Sequence, residues 1–253
     1  MNYLAVADTD IGISKKTNQD SVLLKHVNSG VGEILLAIIC DGMGGLSKGE
    51  LASATVIRAF SKWFDEELPY ELERLDLQVI GGKWSLMIKD INIKILEYGQ
   101  RNGFSLGTTF TGMLIVNDQY LIGHVGDTRA YHIDTSIKQL TTDQTFIARE
   151  ISRGALTLEQ AKNDKRRNML LQCVGASEKV EPDMLIGTCK KGAYMLCSDG
   201  FRHKISEEEI YESINSINLV NKEVMHANVK YLIEQDKIRQ EKDNISVILI
   251  KAS

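Results

Sequence analysis

The sequence predicts an α+β fold in which two mainly antiparallel sheets are stacked and helices cover their outer faces. Three observations lead there. Strand-like runs rich in Val, Ile, Leu and Tyr recur near 3–8, 21–27, 33–40, 108–117, 119–126, 128–134, 183–187, 193–198 and 244–251, too many for one small sheet. Links as short as Asn117-Asp118 demand antiparallel neighbours, and the order of elements is not a strand–helix alternation. Helical spacing is confined to a few blocks, which places helices in layers outside the sheets.

The first helical block covers 49–67, with Leu51, Ala54, Ile57 and Phe64 on one face and Val56, Phe60 and Trp63 beside them. Pro69 closes it, because proline has no N–H for the helical ladder. The second block, 83–101, repeats Trp84, Met87, Ile88, Ile91, Ile95 and Tyr98 at helical spacing. Ser206 and Glu209 form a capping box that opens a short helix near 206–216, and a longer helix follows near 219–239. Segment 144–176 breaks the pattern: Arg149, Glu150, Arg153, Glu159, Lys162, Asp164, Lys165, Arg166 and Arg167 leave it few apolar anchors. It is expected as an exposed helical insert or flap on a single domain spanning 1–253, bordering a binding site.

Composition narrows the functional classes. The net charge is −4, with 34 acidic and 30 basic residues mixed along the 253-residue chain, so no basic footprint marks a nucleic-acid or anionic-membrane surface. No apolar stretch reaches the length of a membrane span, and the N-terminus does not read as a signal peptide. Cys40, Cys173, Cys189 and Cys197 have no paired spacing, which points to reduced, buried thiols in a cytoplasmic protein.

Chemistry is concentrated where apolar runs end. Two runs end on Asp-Gly, at Asp41-Gly42 and Asp199-Gly200, and a third ends Gly126-Asp127. Asp-Gly is first a hairpin signal. A hairpin needs a strand directly after the turn, yet Asp41-Gly42-Met43-Gly44-Gly45 leads into the first helical block and Asp199-Gly200 into the capping box. At Gly126-Asp127 the turn reading survives and is compatible with a ligand role. Carboxylates at strand ends, drawn from distant parts of a chain, can assemble an all-oxygen site for a hard divalent ion.

Near the N-terminus, Thr9-Asp10-Ile11-Gly12 and Asn18-Gln19-Asp20 flank Lys15-Lys16, either as a plain polar loop or with Lys15 as an anion-binding charge and Asp20 as an outer ligand. His124 alternates with residues of a half-buried strand and reads as a hydrogen-bonded core histidine, and none of the histidines has zinc-ligand spacing. Asp243-Asn244, before the final strand, is unremarkable by itself. No nucleotide-cradling glycine loop is present.

Taken in order, Gly12, Asn18-Gln19-Asp20, Asp41-Gly42-Met43-Gly44-Gly45, Gly107-Thr108-Thr109, His124 to Tyr131, Ser198-Asp199-Gly200 and Asp243-Asn244-Ile245-Ser246 resemble the motif series of the protein phosphatase 2C family, metal-dependent Ser/Thr phosphatases, in their compact bacterial form. The resemblance implies a four-layer α-β-β-α sandwich holding two Mn²⁺ or Mg²⁺ ions at one end, with a labile third. By position, Asp41 would bridge both ions, the Gly42 carbonyl would bind one, and Asp199 and Asp243 would bind the other. Asp127 would join Asp199 in the third site, Asp20 would act through water, and Lys15 would meet the phosphoryl group. A water shared between the two ions would attack phosphoserine or phosphothreonine in proteins. Phosphorylated proteins, a Ser/Thr kinase among them, are the implied partners of a monomer in signal transduction.

Four positions depart from the family pattern. Lys15 stands where Arg is usual and loses bidentate phosphate geometry, and Gln19 stands where Glu is usual and removes a negative charge. Met43 replaces the histidine that is the general acid of eukaryotic members, and Gln144 takes a common His position at the base of the flap. Lys15 and Gln19 motivate a competing expectation, a catalytically weak binding or regulatory module of the same fold. A small-molecule phosphoesterase is the third.

Overall fold

The computed structural model describes residues 1–43, 48–162 and 164–253, with the Lys162 side chain left out. Gly44 and Gly45, part of the glycine cluster after Asp41, lie outside the described residues.

The unbroken apolar runs are explained by strand β3 (Gly32–Cys40), which is buried on both faces. Ile34, Leu36, Ile38 and Cys40 point to a core under helices, whereas Leu35, Ala37 and Ile39 point to a core between sheets. An antiparallel strand with one face in water would alternate apolar with polar residues, and a strand covered on both sides need not. β3 lies in a five-stranded sheet with β2 (Ser21–Ser29), β4 (Phe110–Val116), β5 (Gln119–Val125) and β8 (Asp183–Thr188), in the order β2-β3-β4-β5-β8. The second sheet runs β1-β10-β9-β6-β7, built from β1 (Tyr3–Asp10), β6 (Arg129–Ile133), β7 (Ile137–Gln139), β9 (Gly192–Cys197) and β10 (Ile245–Ala252). All pairings are antiparallel.

Helices cover both outer faces, so the expected four-layer α-β-β-α sandwich is what the chain forms. Helices α1 (Gly49–Glu66) and α3 (Leu77–Asn102) lie on the β2-to-β8 sheet, joined by the short α2 (Leu68–Glu71) and a 3-10 turn over Leu72–Arg74. Their shared core is aromatic: Trp84 meets Phe60 and Trp63 edge-on, at centroid distances of 5.1 and 5.5 Å, and Phe110 comes from β4. Helices α6 (Glu207–Ile214) and α7 (Lys222–Ile238) cover the other sheet over a mainly aliphatic core that also holds Tyr131 and Phe201. The capping box opens α6 as expected: Ser206 N donates to Glu209 and Glu209 N to the Ser206 hydroxyl.

Three details differ from expectation. The α1 face centres on Ala52, Val56, Phe60 and Trp63, with Leu51 and Ile57 only partly buried, because the aromatic pair sets the helix rotation. Helix α3 starts at Leu77 rather than 83: Asp76 caps it through the Gln78 and Val79 amides, and Gly81 is the point where the helix touches β5, a Cβ there meeting Leu121 at 3.3 Å. Gly81 therefore marks a close approach, and the helix runs unbroken through Gly81-Gly82. Strand β7 has only three residues, too few for an alternation to register.

Segment 144–176 carries helices α4 (Phe146–Ser152) and α5 (Leu158–Lys162). Its two ends are tied together, Phe146 N to Met169 O at 2.8 Å and Leu171 N to Gln144 O at 2.8 Å. The guanidinium groups of Arg149 and Arg166 both lie over the Phe146 ring, 5.2 and 4.1 Å from its centroid.

Candidate metal centre

Register brings the strand-ending aspartates to one end of the sandwich. Ser21 pairs with Cys40, Ile39 with Thr111 and Phe110 with Val125, so Asp20, Asp41 and Asp127 project from one row of strand ends. In the other sheet Val247 pairs with Cys197 and Cys197 with Arg129, which sets Asp199, just beyond β9, beside Asp243, just before β10. Gly126, with φ +105°, turns the chain as expected, but the turn carries it from β5 in one sheet to β6 in the other, not back along a hairpin.

The backbone around Asp41 is locked. Its N–H donates to Thr109 Oγ1 at 2.9 Å, while its carbonyl accepts Thr109 N and Thr108 Oγ1, both at 2.9 Å. Gly42 forms an isolated bridge with Thr108, and Met43 N donates to Gly107 O. Asp20 is 7% exposed; its Oδ2 accepts the Ser246 hydroxyl at 2.6 Å and its buried Oδ1 has no hydrogen-bond partner. Asp199 Oδ1 is likewise buried without a partner.

Lys15, on the loop from β1 to β2, reaches Asp243 Oδ1 at 2.8 Å. Partial burial opposes its charge, but Asp243, with Asp41 and Asp199 behind it, outweighs this and holds the ammonium above its ordinary value. Gln19, where a negative charge was expected to be missing, donates its side-chain amide to Glu50 Oε2 of α1 at 3.3 Å. The missing His at Gln144 is also compensated. Gln144 accepts Gly126 N at 2.9 Å, donates to Asp183 at 2.8 Å and receives Gln172, so the base of the flap is fastened to the Asp127 turn. His124 is the expected core histidine, fully buried between Thr111 and the Thr142 carbonyl.

Two residues of the Asp243-to-Ser246 motif act as positioning residues, a role the sequence reading did not give them. Asn244 is 2% exposed and ties the N-terminal loop to β10, accepting Gln19 N at 2.9 Å and donating to Ile11 O at 2.9 Å. Ser246 joins Asp20 to Thr9.

The carboxylates are poorly reconciled with one another. Desolvation, then the charges of Asp20, Asp199, Asp127 and Asp243, push Asp41 well above the carboxylate range. Burial raises Asp20 to about 7 despite the Ser246 hydroxyl, with Asp199 adding to the shift. Asp127 is raised to about 7 by burial and Asp199, with Arg202 pulling the other way. Among the described residues no three Asp, Glu, His or Cys side chains converge as a ready-formed ligand set. Like charges resist convergence, and a cation between them reverses that order. Two buried, unpartnered carboxylate oxygens in an all-oxygen donor set fit a hard divalent ion.

The family model for Protein phosphatase 2C matches residues 13–234, most of the chain and the motifs from Asn18 to Gly200. The chain belongs to the protein phosphatase 2C family. Among its relatives, the serine/threonine protein phosphatase PstP of Mycobacterium tuberculosis is 32% identical over 211 residues, 82% of this chain; the chain spans only 38% of that relative's length. The serine/threonine phosphatase Stp1 of Staphylococcus aureus superposes with a TM-score of 0.85 at 28% identity, covering 100% of this chain and 96% of the other. The PstP catalytic domain in complex with two manganese ions superposes with a TM-score of 0.78 at 28% identity, covering 98% of this chain and 97% of that one. Shared protein phosphatase 2C architecture therefore extends over the whole described chain.

Proposed function

We propose that this chain hydrolyses phosphoserine and phosphothreonine in proteins with the help of two Mn²⁺ or Mg²⁺ ions. The observation that carries the reading is the collection of Asp20, Asp41, Asp199 and Asp243 at one end of the sandwich, two of them with buried unpartnered oxygens, beside the Lys15 ammonium. The two manganese ions in the PstP complex and the family match support it.

Asp41 and the Gly42 carbonyl would hold one ion, Asp41 would be shared with the second, and Asp199 and Asp243 would complete that second site. When bound, such a pair supplies an activated water and neutralises charge building on phosphorus. Everything else falls to this chain's residues. Thr108 and Thr109 keep the Asp41 backbone from moving. Ser246 leaves Asp20 one oxygen free for a water. Lys15 sits where its ammonium can leave Asp243 for a phosphoryl oxygen, as a point charge and not a fork.

On this reading residues 1–253 act as one catalytic domain, the 144–176 flap borders the substrate, and a phosphorylated protein, including a Ser/Thr kinase, is the partner of a cytoplasmic monomer. No helix of the described residues is long and apolar enough to cross a membrane.

The test is hydrolysis of a phosphothreonine peptide with Mn²⁺, with EDTA, and in Asp41→Asn and Asp243→Asn. Turnover should require Mn²⁺ and be lost in both variants; metal-independent turnover overturns the assignment. One observation favours a second reading, a binding module with weak turnover: Lys15 is already tied to Asp243. Retained Mn²⁺ binding without turnover would select it. A higher kcat/KM on small phosphate esters than on phosphopeptide would point to a small-molecule esterase.

A further inference from the structure

Asp127 already has a cation. The turn after Asp199 is closed by Arg202 N donating to Asp199 O at 3.0 Å, and the Arg202 side chain reaches the β5–β6 crossover. There Nη2 donates to the Asp127 carbonyl at 3.0 Å and stands 3.9 Å from its Oδ2, with both side chains only 16% exposed. Arg202 Nε is buried without a partner, so this guanidinium has been desolvated to reach Asp127 and not to satisfy all its own donors. The neighbouring Arg129 is engaged elsewhere, paired through two hydrogen bonds with Asp143 at 2.8 and 2.7 Å.

Charge balance divides the cleft in two. Asp20, Asp41, Asp199 and Asp243 lie on one side with Lys15 against Asp243; Asp127 lies on the other with Arg202 against it. A third divalent ion shared by Asp127 and Asp199 would lie beside a guanidinium that does not deprotonate, where little water screens the repulsion. We infer that Arg202 serves as the resident cation at Asp127 and takes the place of a third metal ion, making the centre one of two ions and a guanidinium. This rests on the two-ion reading proposed above.

Counting bound Mn²⁺ tests it without reference to turnover. The full chain is titrated with Mn²⁺ while the free ion is followed by its electron paramagnetic resonance signal, for wild type, Arg202→Gln, Arg202→Lys and Arg202→Gln/Asp127→Asn, each checked for folding by thermal melting. Wild type and Arg202→Lys should saturate at two ions. Arg202→Gln should take up a third at least about tenfold more tightly than any residual third binding in wild type, and the double variant should return to two. Three ions in wild type, or two in a folded Arg202→Gln, overturns the inference and leaves the two-ion phosphatase standing. No Mn²⁺ uptake by wild type removes both. Should Arg202→Gln not fold, Asp127→Asn in the wild-type background decides: an unchanged count of two supports the inference, and a fall from three to two sinks it.

Discussion

The middle of the sandwich and its acidic end are built on opposite terms. In the middle, Trp84, Phe60, Trp63 and Phe110 fill the space between α1, α3 and the sheet with edge-on aromatic contacts, and each ring is nearly or fully buried. At the end, carboxylates are gathered against their mutual repulsion, and Asp20 and Asp41 are pushed toward protonation. Packing in the first region stabilises the fold; crowding in the second costs stability until a cation relieves it. The difference separates residues that hold the protein together from residues it must hold in place.

The largest effect should come from Asp41→Asn. Its kcat/KM for phosphopeptide should fall by about 10³-fold or more, roughly 4 kcal/mol of transition-state stabilisation. Without metal the same variant should melt higher than wild type, because one repelling charge is gone. A lower melting temperature would show that the acidic end is not strained and would remove the contrast.

Trp84→Ala should act in the other direction, costing about 3–5 kcal/mol in denaturant unfolding through the cavity it leaves in a dense aromatic cluster. The Trp84 indole N–H is buried without a partner, so Trp84→Phe should lose much less. Equal losses would mean the indole nitrogen is not a cost.

A smaller effect tests whether strain of the acidic kind is confined to the metal end. Asp236 of α7 is fully buried, and burial followed by the charge of Glu241 raises it to about 8. A carboxyl raised in the folded state favours folding when protonated. Its contribution is complete below the unfolded value of about 4 and is lost as pH rises toward about 8. Asp236→Asn should therefore leave stability unchanged near pH 4 and raise it above pH 8, measured by denaturant melts across pH. Parallel pH profiles for the two proteins would refute the assignment. Least of all, Lys15→Arg should lower the KM for phosphopeptide by about threefold through bidentate contact; an unchanged KM would count against Lys15 as the phosphate contact.

Much of the fold was legible in the chain. Doubly buried strands such as β3 and β10 read as unbroken apolar runs, and the Ser206 capping box opens α6 where it was expected. What was not legible has physical causes. The start of α3 was placed at 83 and not at Leu77, because its first turns carry Gly81-Gly82, and Gly81 has its reason only when β5 lies against it. The rotation of α1 depends on where Phe60 and Trp63 meet Trp84, a partner 21 or more positions away in sequence. At the site, the aspartates were visible as strand endings and Asn244 and Ser246 as members of the last motif, whereas the contacts of those two were not, because hydrogen bonds to residues more than 200 positions away leave no local pattern.

The sequence by itself determined the doubly buried strands, the Ser206 cap and the positions of carboxylates at strand ends, since these follow from side-chain periodicity and local hydrogen bonding. Only the tertiary structure decided that Gly126-Asp127 crosses between sheets, that Gln144 fastens the flap, and that Arg202 stands against Asp127. Those outcomes depend on which strand ends share one edge of the sandwich. Register and layer packing set that, and no stretch of the chain carries it alone.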